Sequence, residues 1–281
     1  MFSTISHTFG LMKTSWRVLM QDRELILFPI LSGITLLLVL LVFAGIASVT
    51  GTLAHFAAIE GARTATSVLT PIDYVVSFVF LVTAYAVAIT FNAALIASAL
   101  ERLRGGNPTV GTGLRAASAH LPAILGWAVI AATVGLVLGM LRDKAGNNLF
   151  ARIAISLVGG VWAYITFFVV PVLVVEGLGP IEAIKRSGSL FRSTWGNQAA
   201  AGFGFGLVYL GAMLLAFLPA AALYAVAPLL GVVAGVLTMS RAFAVVMALE
   251  GIFKAALYQF ARGETAGAFE ADTLRAAYRA L

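Results

Sequence analysis

Residues 164–195 read YITFFVVPVLVVEGLGPIEAIKRSGSLFRSTW. An apolar run carrying Pro171 ends at Glu176-Gly177. Pro180 then opens a segment with Lys185, Arg186 and Arg192, and Trp195 leads into the next apolar run. In order, this is a membrane-spanning helix, a turn at the water boundary, an amphipathic helix on the membrane surface, and re-entry. At 3.6 residues per turn, Ile181, Ile184, Gly188, Phe191 and Trp195 share one side of that surface helix. Lys185, Ser189 and Arg192 lie opposite, and Glu182 stands before Arg186 in the favourable i,i+4 order for an ion pair. Pro180, like Pro108 earlier, suits a first helical position, where no backbone donor is needed.

Composition says the same of the whole chain. Of 281 residues, 61% are hydrophobic and 11% charged, with a mean hydropathy of +1.00. Soluble domains are about 45–50% apolar and about 25% charged, so the solvent of this chain is lipid. The net charge of +6 and pI of 9.9 come from basic residues placed mostly between apolar runs. That placement points to anionic lipid headgroups rather than nucleic acid. With no cysteine, disulfides, Cys-ligated zinc, iron–sulfur clusters and thiol catalysis are excluded. Arginine (14) far exceeds lysine (4), a bias of bacteria with GC-rich genomes.

The predicted fold is all-α and polytopic, one membrane domain over residues 1–262 followed by a cytoplasmic tail over 263–281. Spans are expected at about residues 25–49, 74–100, 121–141, 153–175, 199–218 and 229–258. Amphipathic interfacial helices are expected at about 3–22, 109–120 and 180–195. The run 25–49 is uncharged and longer than the roughly 7–15 residues of a signal-peptide core, so it is read as an uncleaved span. Residues 50–70 are read as a loop. The uncharged run 199–240 is too long for one span and is broken between Pro219 and Pro228. In the first surface helix Ile5, Phe9, Met12, Trp16 and Met20 form the stripe, with Trp16, like Trp195, as an aromatic anchor; a packed soluble helix is the alternative. Surface helix, span, external loop and span recur three times. Leu11-Met-Lys-Thr-Ser-Trp16 and Leu190-Phe-Arg-Ser-Thr-Trp195 share one pattern, which the copy before the third span lacks.

The phrases ERLRGGNPTVGTGLRAA, FFVVPVLVVEGLGPIEAIKRS and IFKAALYQFA resemble a family of bacterial multi-pass membrane proteins known as a domain of unknown function. The P-x-x-x-x-E-G exit and the basic helix after it also resemble, more loosely, the membrane domain attached to some glycerophosphodiester phosphodiesterases; this chain has no phosphodiesterase part. The resemblance implies six helices in a bacterial inner membrane. It implies no activity and no site residues.

The chain carries no H-E-x-x-H, G-x-S-x-G or P-loop pattern. His7, His55 and His120 fall in three separate segments without an acid at ligand spacing. No catalytic, cofactor-binding or metal-binding residue is predicted, and the chain is not expected to be an enzyme. Gly-x-x-x-Gly faces at Gly135/Gly139, Gly202/Gly206 and Gly231/Gly235 are expected to let the third, fifth and sixth spans pack on one another, or to form a subunit interface. Glu250 and Lys254, one turn apart, read as a self-neutralising pair at the inner boundary. Arg241 is the outlier, well inside an apolar region; Asp73 and Asn92 are its candidate partners in an intramembrane polar site.

Two functional readings follow. The first is a structural or partner protein acting in membrane homeostasis, with anionic lipids and a homo-oligomer or another membrane protein as its partners. The alternative is a transporter or channel for a small or lipid-like anion, which needs polar residues converging near the midplane; an intramembrane enzyme ranks last. A cytoplasmic N-terminus puts 13 basic residues inside and four outside, Arg63, Arg142, Lys144 and Arg152. That bias places both termini in the cytoplasm.

Overall fold

The computed structural model describes residues 2–61, 69–195, 205–264 and 269. Every regular element among them is helical. In order they are α1 (Phe2–Gln21), a 3-10 turn (Arg23–Ile26), α2 (Leu27–Val49), α3 (Thr52–Gly61), α4 (Pro71–Leu103), α5 (Val110–Ser118), α6 (Leu121–Ala145), α7 (Leu149–Ile165), α8 (Val169–Glu176), α9 (Pro180–Trp195), α10 (Phe205–Val226) and α11 (Pro228–Ala261). Among the described residues six stretches are long and apolar enough to cross a membrane: Arg23–Val49, Pro71–Leu103, Leu121–Ala145, Leu149–Glu176, Tyr209–Val226 and Pro228–Ala261. The chain is a multi-pass membrane protein.

The architecture is built on α4, which packs against α2, α5, α6, α8 and α11. Its inner-facing residues explain that role: Ala93, Ala94 and Ala99 are fully buried, and their small side chains let several helices approach at once. Each short helix lies against a span returning to the same end, α5 on α4, α9 on α8 and α1 on α11. All three returning spans finish alike. Gly105, Gly177 and Gly263 follow them at φ of 85°, 65° and 76°, left-handed positions that close a helix without a Cβ penalty.

Four expectations about the elements are corrected. Residues 50–70 hold a helix, α3, rather than only loop. The fourth span is two helices, broken at residues 166–168, one turn before Pro171. A proline ring clashes with the carbonyl four residues earlier, so Pro171 belongs in the first turn of α8 and the helix before it must stop. The freed Phe168 N–H donates to the buried Ser187 Oγ of α9 at 2.8 Å. The fifth span runs through Pro219 and turns only at Ala227; Thr238 of α11 donates to the Ala216 carbonyl in the turn preceding that proline. The third span packs on α4, α7 and α9 instead of joining the α10–α11 pair.

Part of each amphipathic stripe faces away from the protein. On α9 the buried residues are Ala183, Ser187, Leu190 and Phe191, packed on the protein's own helices, while Ile181 is exposed. On α1, Ser15, Val18 and Leu19 are buried and Trp16 is half-exposed. In a chain bathed in lipid, the most apolar face need not turn inward. Small residues are the ones that allow close packing.

Candidate functional site

The polar groups gather at the end where α4, α8 and α11 terminate. Glu176, the last residue of α8, accepts from Arg186 Nε of α9 at 3.0 and 3.2 Å and from the Tyr258 hydroxyl of α11 at 2.9 Å. The Arg262 guanidinium lies over the Tyr258 ring, 5.7 Å from its centroid. Beyond Gly263 the chain folds back, with Gly263 N–H on Phe260 O and Glu264 N–H on Gln259 O. That capping turn sets the Glu264 carboxylate between Arg262 (3.2 Å) and Arg104 at the end of α4 (3.0 Å). Two carboxylates and three arginines thereby join the ends of α4, α8 and α11 to the middle of α9. Around them Tyr164, Phe167, Phe168, Phe191 and Tyr258 stack in tilted and edge contacts.

The same end is tied further round. Arg102 donates to the carbonyls of Gly106 and Gln21, and the Val110 N–H donates to Glu24. Lys13, Arg17, Arg23, Arg104, Arg115, Lys185, Arg192 and Arg262 are all exposed there. Asp22 is buried with one carboxylate oxygen unpartnered; burial pushes its carboxyl above the ordinary range, with Arg102 opposing. A cleft of about 470 Å³ opens between α4, α5 and α8, walled by Leu100, Ala116, Val174 and Val175 and rimmed by Glu101 and Arg104.

The opposite end holds a smaller set. Asp73 closes the start of α4, accepting from the Thr70 N–H (2.7 Å) and hydroxyl (2.8 Å), and faces His55 Nδ1 at 2.9 Å. On α11, eleven residues before Ala261 and so towards the basic end, Glu250 accepts from the Tyr209 hydroxyl at 3.0 Å and lies 3.7 Å from Lys254.

These contacts redistribute the residues that the sequence singled out. Asp73 is taken by His55 and Thr70 and is no partner for Arg241. Arg241 is exposed, with no hydrogen bond or ion pair among the described residues, so it is not a buried cation. Asn92 is half-buried and lines neither that cleft nor the groove between α10 and α11. Arg186 pairs with Glu176 rather than Glu182, while Lys185 and Arg192 are exposed. Gly231 lies against the Tyr224 backbone, Gly235 against Ala220 and Gly135 against the Tyr85 hydroxyl; Gly139 faces open space. Gly202 and most of the tail lie outside the described residues, as do the side-chain surroundings of Gly206 and Trp195. Sequence reasoning missed the Glu176–Tyr258–Arg262–Glu264 connection. Its one signal was that each acid follows or ends an apolar span beside a glycine.

Among the described residues no three histidines or acids are grouped to hold a metal ion. The arrangement is one of ion pairs and aromatic packing: it fastens helix ends and presents positive charge. No curated protein and no solved structure matches the chain, so the looser likeness to phosphodiesterase membrane domains has no counterpart there. Residues 71–268, from the start of α4 onward, match a family, and the chain belongs to it: the Family of unknown function (DUF6159).

Proposed function

We propose that this chain is a structural or partner protein of the bacterial inner membrane, neither an enzyme nor a transporter. Its basic end rests on anionic headgroups of the cytoplasmic leaflet, and both termini lie on that side. The observation that carries this reading is the separation of polar from apolar along the bundle. The middle is closed by Ala86, Ile89, Ala93, Ile124, Ala128 and Ala244, all buried. Eight exposed basic residues stand together at one end, against Arg142, Lys144 and Arg152 where α6 meets α7, and each of the eight contributes about 1 kcal/mol towards an anionic surface. Transport needs polar residues converging at mid-depth; Arg241 faces outward, and neither the cleft beside α5 nor the groove between α10 and α11 is lined by it or by Asn92. The shared glycine endings of α4, α8 and α11, each with a short helix packed beside it, support reading the chain as three related hairpins.

The test is purification in native bilayer discs with identification of the retained lipids. Enrichment of anionic lipids over the bulk membrane, lost in a Lys185→Gln/Arg192→Gln variant, is the expected result. A retained set identical to the bulk membrane for both proteins would defeat the lipid-collar reading.

A further inference from the structure

Arg241 stands on a helix whose depth is set by several contacts. Helices α10 and α11 form an antiparallel hairpin, with Gly231 against Tyr224, Gly235 against Ala220, Thr238 bonded to Ala216 and Tyr209 bonded to Glu250. From Pro228 to Glu250 is 22 residues, roughly 33 Å of helix, which matches a hydrocarbon thickness of about 30 Å. Arg241 lies 13 residues, about 20 Å, from Pro228 and nine, about 14 Å, from Glu250. That is close to mid-depth. The hairpin tip cannot be drawn out into water to bring the arginine to the surface, because Val226 and Leu229 at the tip are 87% and 77% exposed.

The charge needs an acceptor there, and the chain's described residues offer none. Residues 209–226 of α10 carry no acid and no amide. Glu250 is occupied by Tyr209 and Lys254, and nine residues of helix put it on the opposite face. A second copy has the same shortage, so two copies meeting on this face would set arginine against arginine.

The surroundings of Arg241 define what fits. Leu230, Ala234, Leu237, Arg241, Ala244, Ala248 and Gly251 follow one another at spacings of four and three, a heptad seam along α11. Its deep half, Ala244, Ala248 and Gly251, is buried, with Gly251 closed on Leu95 of α4. In its other half Leu230, Leu237 and Arg241 are exposed. On α4 the matching strip opens too, for Ala88, two turns from Leu95 on the same face, is exposed. A helix-packing seam that is used for half its length continues bare past a lone cation.

We infer that the outer half of this seam docks a transmembrane helix of another protein, one that carries an Asp or Glu near its middle to pair with Arg241. The inference rests on the bundle and its arginine, and it is independent of the lipid collar proposed for the other end. Partner helices of this kind pack by small and aliphatic side chains and are selected by the one buried ion pair.

A model peptide tests it directly. A tagged Leu/Ala transmembrane peptide of about 23 residues, with a single central Glu, is co-reconstituted with the full chain at pH 8, and association is read by energy transfer. The Glu peptide should associate about tenfold more tightly than its Gln counterpart. Arg241→Gln should remove that preference, and Arg241→Glu should transfer it to a Lys-centred peptide. Leu237→Trp, which fills the seam and leaves the charge, should weaken both peptides; unchanged melting of each variant guards against misfolding. Equal association of Glu and Gln peptides with the wild-type chain overturns the proposal. So does an Arg241-dependent association between copies of the chain in peptide-free bilayers, which would assign the seam to a second copy.

Discussion

Gly113 of α5 and Gly139 of α6 occupy two different regimes of one bundle. A Cβ added at Gly113 would collide with Ser98 and lie 2.9 Å from the Ala94 carbonyl and 2.7 Å from the Phe28 ring; one added at Gly139 would meet nothing within 4 Å. The contrast extends to whole regions. Near the basic end Leu95, Ile96, Leu173, Ile252, Leu257 and Tyr258 are sealed from any solvent. In the other half Leu41, Leu157, Leu215, Leu229 and Leu237 stand exposed. The first region is packed like a soluble protein's core and fastened by ion pairs. The second leaves its side chains to lipid, which is as apolar as they are and supplies no force to close the helices together.

The largest predicted effect comes from forcing the packed half open. Gly113→Val should destabilise the fold by about 3 kcal/mol, the upper range for an overpacked core, and Gly139→Ala should leave thermal stability in mild detergent unchanged or slightly raised, since alanine suits a helix interior better than glycine. Equal melting of the two variants would erase the contrast.

A smaller loss is expected from the ion-pair clasp. Glu176→Gln keeps the side-chain shape but weakens the bonds from Arg186 and Tyr258. With Arg186 partly exposed to solvent, the cost should be roughly 1–2 kcal/mol and should shrink in high salt. A salt-independent effect would mean that the clasp acts by packing alone.

The smallest effect belongs to Asp22 and has the opposite sign. Burial raises its folded-state pKa, so the folded protein disfavours the charged form at neutral pH, and stability from this group is gained as pH falls through the folded value. Asp22→Asn should therefore melt slightly higher than wild type at pH 7. The difference should close as the pH approaches the ordinary carboxylate value of about 3.9. An unchanged gap across that range would show that the carboxyl is not titrating as a buried group.

The same contrast explains what could be read from the residues. Apolar runs of span length, five of them uncharged and the sixth carrying Arg241, Glu250 and Lys254, located six membrane helices, because hydrophobic length is a property of one segment. Helix faces were harder. Ile181 and Trp16 belong to apolar stripes expected to face lipid and are exposed, while Ala183, Ser187 and Ser15 are the residues buried against the protein. Amphipathic patterns identify a buried side only where water is the alternative. Pro219 misled for a related reason, since a neighbouring threonine can serve the carbonyls around a membrane proline. Glu176 and Arg186 were visible as charges, but their link to Tyr258, 82 positions away from Glu176, depends on which spans lie side by side. No local pattern carries that information. Arg241 was legible as an anomaly; its exposure became clear only from the packing of α11.

The central claim is that one half of the bundle is closed by protein and the other by lipid. The chain contains no cysteine, so single spin labels can be placed without background. Labels at positions 157, 215 and 233 should collide freely with oxygen and hardly at all with a water-soluble nickel reagent, while labels at 96, 173 and 183, buried near the basic end, should be immobilised and shielded from both. Uniform accessibility across the six positions, or nickel access at 157, 215 and 233, would contradict the account.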